Sequence, residues 1–256
     1  DGEWYNRPTL TLTLTSHTMS TQIEALFTTA LGLQPPWHVT KVELNTGKRR
    51  IDFEVEHTGK RAACPACGAE PELIHDRVRR SWRHLDFFQF EAWLHAEIPR
   101  VQCSGCGKTT QLPVPWAREG SGFTLLFEAL SLSLCREMPV RQVASQMRVA
   151  PKRLWRRVRH YVEAARAKDD MSGVRHVGID ETSVKRGHEY ITVVHDLELK
   201  RLLFATPGRD HTTLQAFAED MRSHGGDPLA IEHACIDMSA AYAKGIGKSL
   251  PKAQIS

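Results

Sequence analysis

Two short cysteine pairs restrict this chain more than any other feature: Cys64-Pro-Ala-Cys67-Gly68 and Cys103-Ser-Gly-Cys106-Gly107. Each CxxC turn presents two thiolates to one point, and the glycine after the second cysteine supplies the left-handed turn conformation that side chains with a β-carbon resist. Two such knuckles fill the tetrahedral shell of zinc. A filled shell leaves no position for water, so the expected site is structural and not hydrolytic. Cys64, Cys67, Cys103 and Cys106 are the expected ligands. Paired CxxC spacing of this kind suits a reducing cytoplasm. Cys135 and Cys235 lie in apolar helix and strand contexts and read as core thiols.

With 256 residues and 41% apolar content, the chain has material for about two domains. Its longest apolar stretch, Phe123 to Cys135, is interrupted by Glu128 and is shorter than the roughly 18 residues that span a bilayer. Residues 1 to 18, with acids at the start and an alternating Thr-Leu run, do not form a secretory signal. Met19 reads as the better start, which makes 1 to 18 a leader or non-native extension. Residues 19 to 63 read as a helix and a hairpin turning at Asn45-Thr46-Gly47. The cysteine module takes residues 64 to 118, and its insertion alternates as a second hairpin. Arg77, Arg79, Arg80 and Arg83 on that hairpin face either a phosphate backbone or solvent. His75, His84 and His95 read as surface or packing histidines.

Residues 119 to 168 carry consecutive helices. Val140, Val143, Ala144 and Met147 make one apolar face, a break follows at Arg148 to Pro151, and Leu154, Val158, Tyr161, Val162 and Ala165 repeat at helical spacing. The opposite face carries Lys152, Arg153, Arg156, Arg157, Arg159 and His160. From Arg148 to Lys168 there are eight Lys or Arg and a single acid, Glu163. The net charge of +4 is mild, but this concentration favours a polyanion. The pattern is that of a helix-turn-helix with a basic recognition helix for double-stranded DNA.

Residues 169 to 256 read as three strands, a helix and a fourth strand, the opening of an RNase H-like fold. Asp180 lies near the end of the first strand, which runs to about Thr182, and Asp237 ends the fourth, and those strands are neighbours in that architecture. Two carboxylates there would hold magnesium or manganese and support phosphodiester chemistry. Glu181 should face the opposite side of the strand. Asp196, Glu198 and Asp210 read as turn or cap residues. His188, His195, His211 and His233 are expected at the surface or in packing. The fold class is thus α+β and multidomain: a zinc-ribbon-like module, a helix-turn-helix and a partial RNase H-like α/β domain.

In combination, "PPWHVTKVEL", the "CPACG" and "CSGCG" knuckles around "WRHLD", the basic helix, "VGIDET" and "CIDMS" resemble bacterial insertion-sequence transposases of the ISL-three family. The resemblance implies a DDE transposase that recognises element ends and works in the cytoplasm on nucleoid DNA, with a dimer acting on two ends. Asp180 matches the first family aspartate and Asp237 the second. The third acid, a Glu on a later helix, has no counterpart here, so the chain is expected to be a catalytically incomplete fragment. The competing expectations are a DNA-binding repressor made from such a fragment and a zinc-ribbon transcription regulator.

Overall fold

The computed structural model describes residues 16–185, 189–237 and 240–256. Most of the expected leader, residues 1–15, lies outside them, as does the turn expected at Gly187. Two compact units divide the chain, residues 1–155 and 156–256.

In the first unit, Ile51, Phe53 and Val55 alternate with Asp52, Glu54 and Glu56 and give one strand a buried apolar face. A sheet forms around it from β1 (Trp37–Asn45), β2 (Arg50–His57), β3 (Arg61–Ala62), β4 (Glu72–Arg83), β5 (Glu91–Gln102) and β6 (Thr109–Gln111). The order is β1-β2-β5-β4-β3, with β6 paired to the far part of β5. β1 and β2 form the first expected hairpin and β4 and β5 the second; β2 and β5 run parallel. Trp116 lies edge-on to both Trp37 and Trp82, with ring centroids 4.9 and 5.5 Å apart. The preceding helix α1 (Ser16–Ala30) adds Phe27, whose ring lies 4.9 Å from Phe53.

Three helices follow: α2 (Leu125–Glu137), α3 (Val140–Gln146) and α4 (Pro151–Arg166). Thr124 caps α2 by accepting from the Phe127 amide, and Arg148, at φ 53°, makes the sharp turn after α3. Phe123, Phe127, Val143, Ala144, Met147 and Leu154 close the helical core. Burying a side chain such as Leu154 there contributes about 1.5–3 kcal/mol. Two expectations for α4 are corrected. Val162 is 58% exposed and Ala165 is also exposed. The helix keeps its apolar period beyond the point where it still has this core to pack on.

The second unit contains β7 (His176–Lys185), β8 (Glu189–Asp196), β9 (Arg201–Pro207), α5 (His211–Ser223), β10 (His233–Ile236), α6 (Ala240–Ser249) and β11 (Gln254–Ile255). The sheet order is β11-β10-β7-β8-β9. β7, β8 and β9 form an antiparallel meander, while β10 and β11 run parallel to β7. Asp210 caps α5 through its carboxylate, and Leu214, Phe217, Ala218 and Met221 bury as the helical spacing predicts. The strand β11 was not among the expected elements. Cys235 corrects the core-thiol reading: it is exposed, because Ala234 takes the buried face of β10 and its neighbour takes the other. Cys135 is half-buried against the helical core. Among the described residues, no helix is long and apolar enough to cross a membrane.

Candidate functional site

The two knuckles meet at the open end of the β4–β5 hairpin. Cys64 and Cys106 place their sulfurs 3.8 Å apart, Cys67 and Cys103 theirs 3.6 Å apart, and all four lie within 4.8 Å of one another. Four sulfurs at about 2.3 Å from a tetrahedral zinc are separated by about 3.8 Å. The residues therefore fit zinc in both type and spacing. Gly68 and Gly107 adopt φ 71° and 70°, and their amides donate to the carbonyls of Cys64 and Cys103 at 2.9 Å. The knuckles are thus built alike. The backbone amides of Ala66 and Cys67 hold the Cys64 thiol down to about 7, while Cys67, despite the Ala69 amide, is pushed up to about 12 by the sulfurs of Cys103 and Cys64 crowded against it. The ribbon is a structural zinc module.

The four arginines of β4 separate in the structure. Arg80 is exposed, and Arg79 pairs with Glu54 and, at 3.5 Å, Glu97. Arg77 donates to the carbonyls of His57 and Glu97. Arg83, only 1% exposed, is removed from any phosphate-binding role. Its guanidinium is held by Asp86, Glu91 and the carbonyls of His84 and Ala92, and it stacks over Phe127. A buried cation persists only with such partners. Arg148, in the turn before α4, pairs with the same two acids. The loop end of the ribbon hairpin is thereby tied to the helix-turn-helix, a connection that no local pattern announces.

Of the three histidines of the module, His75 is exposed, while His84 and His95 pack with defined partners. His95 contacts Asp52 and Ser81 at 2.6 Å each. His84 lies 2.9 Å from the Thr124 hydroxyl that caps α2. Burial, and then the Arg83 charge, push His84 down to about 4.

On α4, Lys152, Arg156, Arg159 and His160 are exposed, whereas Arg153 and Arg157 are half-buried. The expected single open face loses Arg153, whose guanidinium lies 4.4 Å from the Phe123 ring centroid. Trp155, beside Arg156, is 57% exposed, although its residue type alone would place it in a core.

β7 and β10 pair in parallel up to Ile179 opposite Ile236; Asp180 is the next residue within β7, and Asp237 is the first residue past the end of β10. Both are exposed. Glu181 takes the other face, opposite the buried Thr192. The buried Tyr242 hydroxyl lies 2.9 Å from that of Thr192, and burial, with the charges of Glu181 and Asp180, raises its pKa. Asp196 accepts from the amides of Glu198 and Leu199 in a turn, and Asp210 caps α5.

Three family profiles match the chain in the order of these modules. Residues 60–106 match the zinc-finger of the transposases IS204, IS1001, IS1096 and IS1165, residues 112–162 the helix-turn-helix domain of transposase family ISL3, and residues 177–256 a transposase domain of the same family. Among curated proteins, the chain is 35% identical over 198 residues to the transposase for insertion sequence element IS1557 of Mycobacterium tuberculosis, covering 74% of this chain and 43% of that protein. It is 27% identical over 211 residues to the transposase for IS1001 of Bordetella parapertussis, covering 81% of this chain and 50% of that one. The chain thus spans half the length or less of these relatives. With these three matches in one order and its cysteine cluster in the zinc-finger match, the chain belongs to the ISL3 family of insertion-sequence transposases.

Proposed function

We propose that this chain binds the ends of a bacterial insertion sequence through its ribbon and helix-turn-helix, and that its second unit carries part of a DDE-type centre for cutting and joining DNA. The domain boundaries would follow the modules: 64–118 for the ribbon, 119–168 for DNA binding and 169–256 for the catalytic portion. The sheet order β9-β8-β7-β10-β11, a meander followed by two parallel additions, supports an RNase H-like reading of that portion. In this reading the protein works in the cytoplasm on nucleoid DNA, with two copies engaging two ends.

The observation that supports the proposal is the parallel pairing of β7 with β10 up to Ile179 and Ile236, the residues directly before Asp180 and Asp237. Their carboxylates offer the hard oxygen donors that magnesium or manganese prefers, and the exposed face admits a phosphodiester backbone. A divalent ion held by Asp180 and Asp237 would supply charge neutralisation at a phosphoryl oxygen and would lower the pKa of an attacking hydroxyl. Lys152, Arg156, Arg159 and His160 hold the duplex by its phosphates and groove edges, which fixes the scissile strand in place. Glu181, within β7, faces the Tyr242 hydroxyl and serves in positioning.

Manganese binding to the zinc-loaded protein, followed by electron paramagnetic resonance, tests this assignment. Asp180→Asn and Asp237→Asn should each remove the same class of bound manganese while leaving affinity for an element-end duplex within about twofold. Manganese binding that survives both substitutions would refute the metal role of the pair.

A further inference from the structure

Among the described residues, one other cluster brings three metal-binding side chains within 4.8 Å: His176, Glu232 and His233. Its histidines sit at the beginnings of β7 and β10. His176 and His233 are direct partners in the parallel register. Glu232 precedes His233, and its backbone is fixed on both sides: its amide donates to the Arg175 carbonyl at 2.8 Å, and its carbonyl accepts from the Gln254 amide at 2.8 Å.

The spacing is that of ligands around one ion. His176 Nε2 lies 3.7 Å from a Glu232 carboxylate oxygen, beyond hydrogen-bond range. Nitrogen and oxygen ligands of one tetrahedral zinc stand about 3.3 Å apart. The imidazole rings of His176 and His233 have centroids 5.0 Å apart at 70°. Two imidazoles sharing one tetrahedral ion place their centroids about 5 Å apart. The remaining ring nitrogen of His176, Nδ1, lies 3.3 Å from Glu198 in the β8–β9 turn. A carboxylate near Nδ1 is the usual support of a ligating histidine, and a hydrogen bond formed there would leave the Nε2 lone pair free for a metal.

We propose that His176, Glu232 and His233 form a second transition-metal site, oriented by Glu198 and selective for zinc or a similar borderline ion. Two imidazoles and one carboxylate disfavour magnesium, so this site and the aspartate pair take different metals. The two positions are four residues apart along each segment, about 13 Å. An ion at the histidines fastens β7 to β10 and holds the register of that pairing.

Zinc content, measured after equilibration with buffered zinc and removal of free metal, decides the matter. The full chain should hold two equivalents, and the Glu232→Gln/His233→Ala variant one. Cobalt substitution keeps the result interpretable. The thiolate-to-cobalt absorption of the four-cysteine site should persist in that variant, showing that it folds, while the weaker visible bands of the second site disappear. A Cys64→Ser/Cys103→Ser variant should conversely retain the second equivalent. One equivalent in the native chain, or two in the histidine variant, would overturn the proposal.

Discussion

Acidification offers a direct test of how the ribbon is joined to the helices. His84 lies against Thr124, the residue that caps α2, and its pKa is held near 4 by burial and by Arg83. In the unfolded chain a histidine titrates near 6.5. Between these values the unfolded state binds the extra proton and the folded state does not, so stability falls as pH is lowered through that window. From pH 8 to pH 5 the loss attributable to this one side chain is about 2 kcal/mol, rising toward about 3 below pH 4. Urea denaturation of the zinc-loaded protein at both pH values should be compared with the same measurements on His84→Gln. Acid also weakens zinc binding by the cysteines, but equally in both proteins, so the difference between the two pH dependences isolates His84. The reasoning fails if His84→Gln loses as much stability between pH 8 and pH 5 as the native chain.

Other substitutions separate roles that look alike in the sequence. Arg83→Ala should cost about 3–5 kcal/mol in urea denaturation, because it breaks a buried ion pair, while Arg80→Ala should stay within about 0.5 kcal/mol. Arg156→Ala and Arg159→Ala should each lower the slope of log affinity against log salt for duplex DNA by about 0.9. Arg153→Ala, which loses the stacking on Phe123, should lower thermal stability and leave that slope nearly unchanged. Cys103→Ser should abolish zinc binding by the ribbon, as read by metal analysis, and melt the hairpin's open end in hydrogen exchange.

The legible features were those written locally. The CxxC spacing, the alternation of β2 and the meander, and the apolar face of α5 each lie within one stretch of chain and translate directly into structure. What escaped depends on remote partners. Arg83 looks like Arg79 in a list of strand residues, but its amide bonds to Gly122 and its strand end is covered by Phe123. Val162 and Ala165 continue a helical period that the fold ceases to use. Cys235 looks buried until the pairing of β10 decides which face Ala234 occupies. The pairing of His176 with His233 likewise follows only from the register of two parallel strands far apart in sequence. The proposed nearness of Asp180 and Asp237 draws on the same register, and the sequence alone supports it only through an assumed strand order.

The β4–β5 hairpin carries the cysteine knuckles at one end and the Asp86–Glu91 clasp on Arg148 at the other, about 40 Å along its strands. Zinc and DNA therefore act on opposite ends of one stiff element. If the metal steadies the hairpin so that the helices are set for the duplex, the duplex must in return tighten the hold on the metal by the same factor, since coupling between two binding equilibria is reciprocal. Zinc should leave the protein more slowly when DNA is bound, although no cysteine touches it.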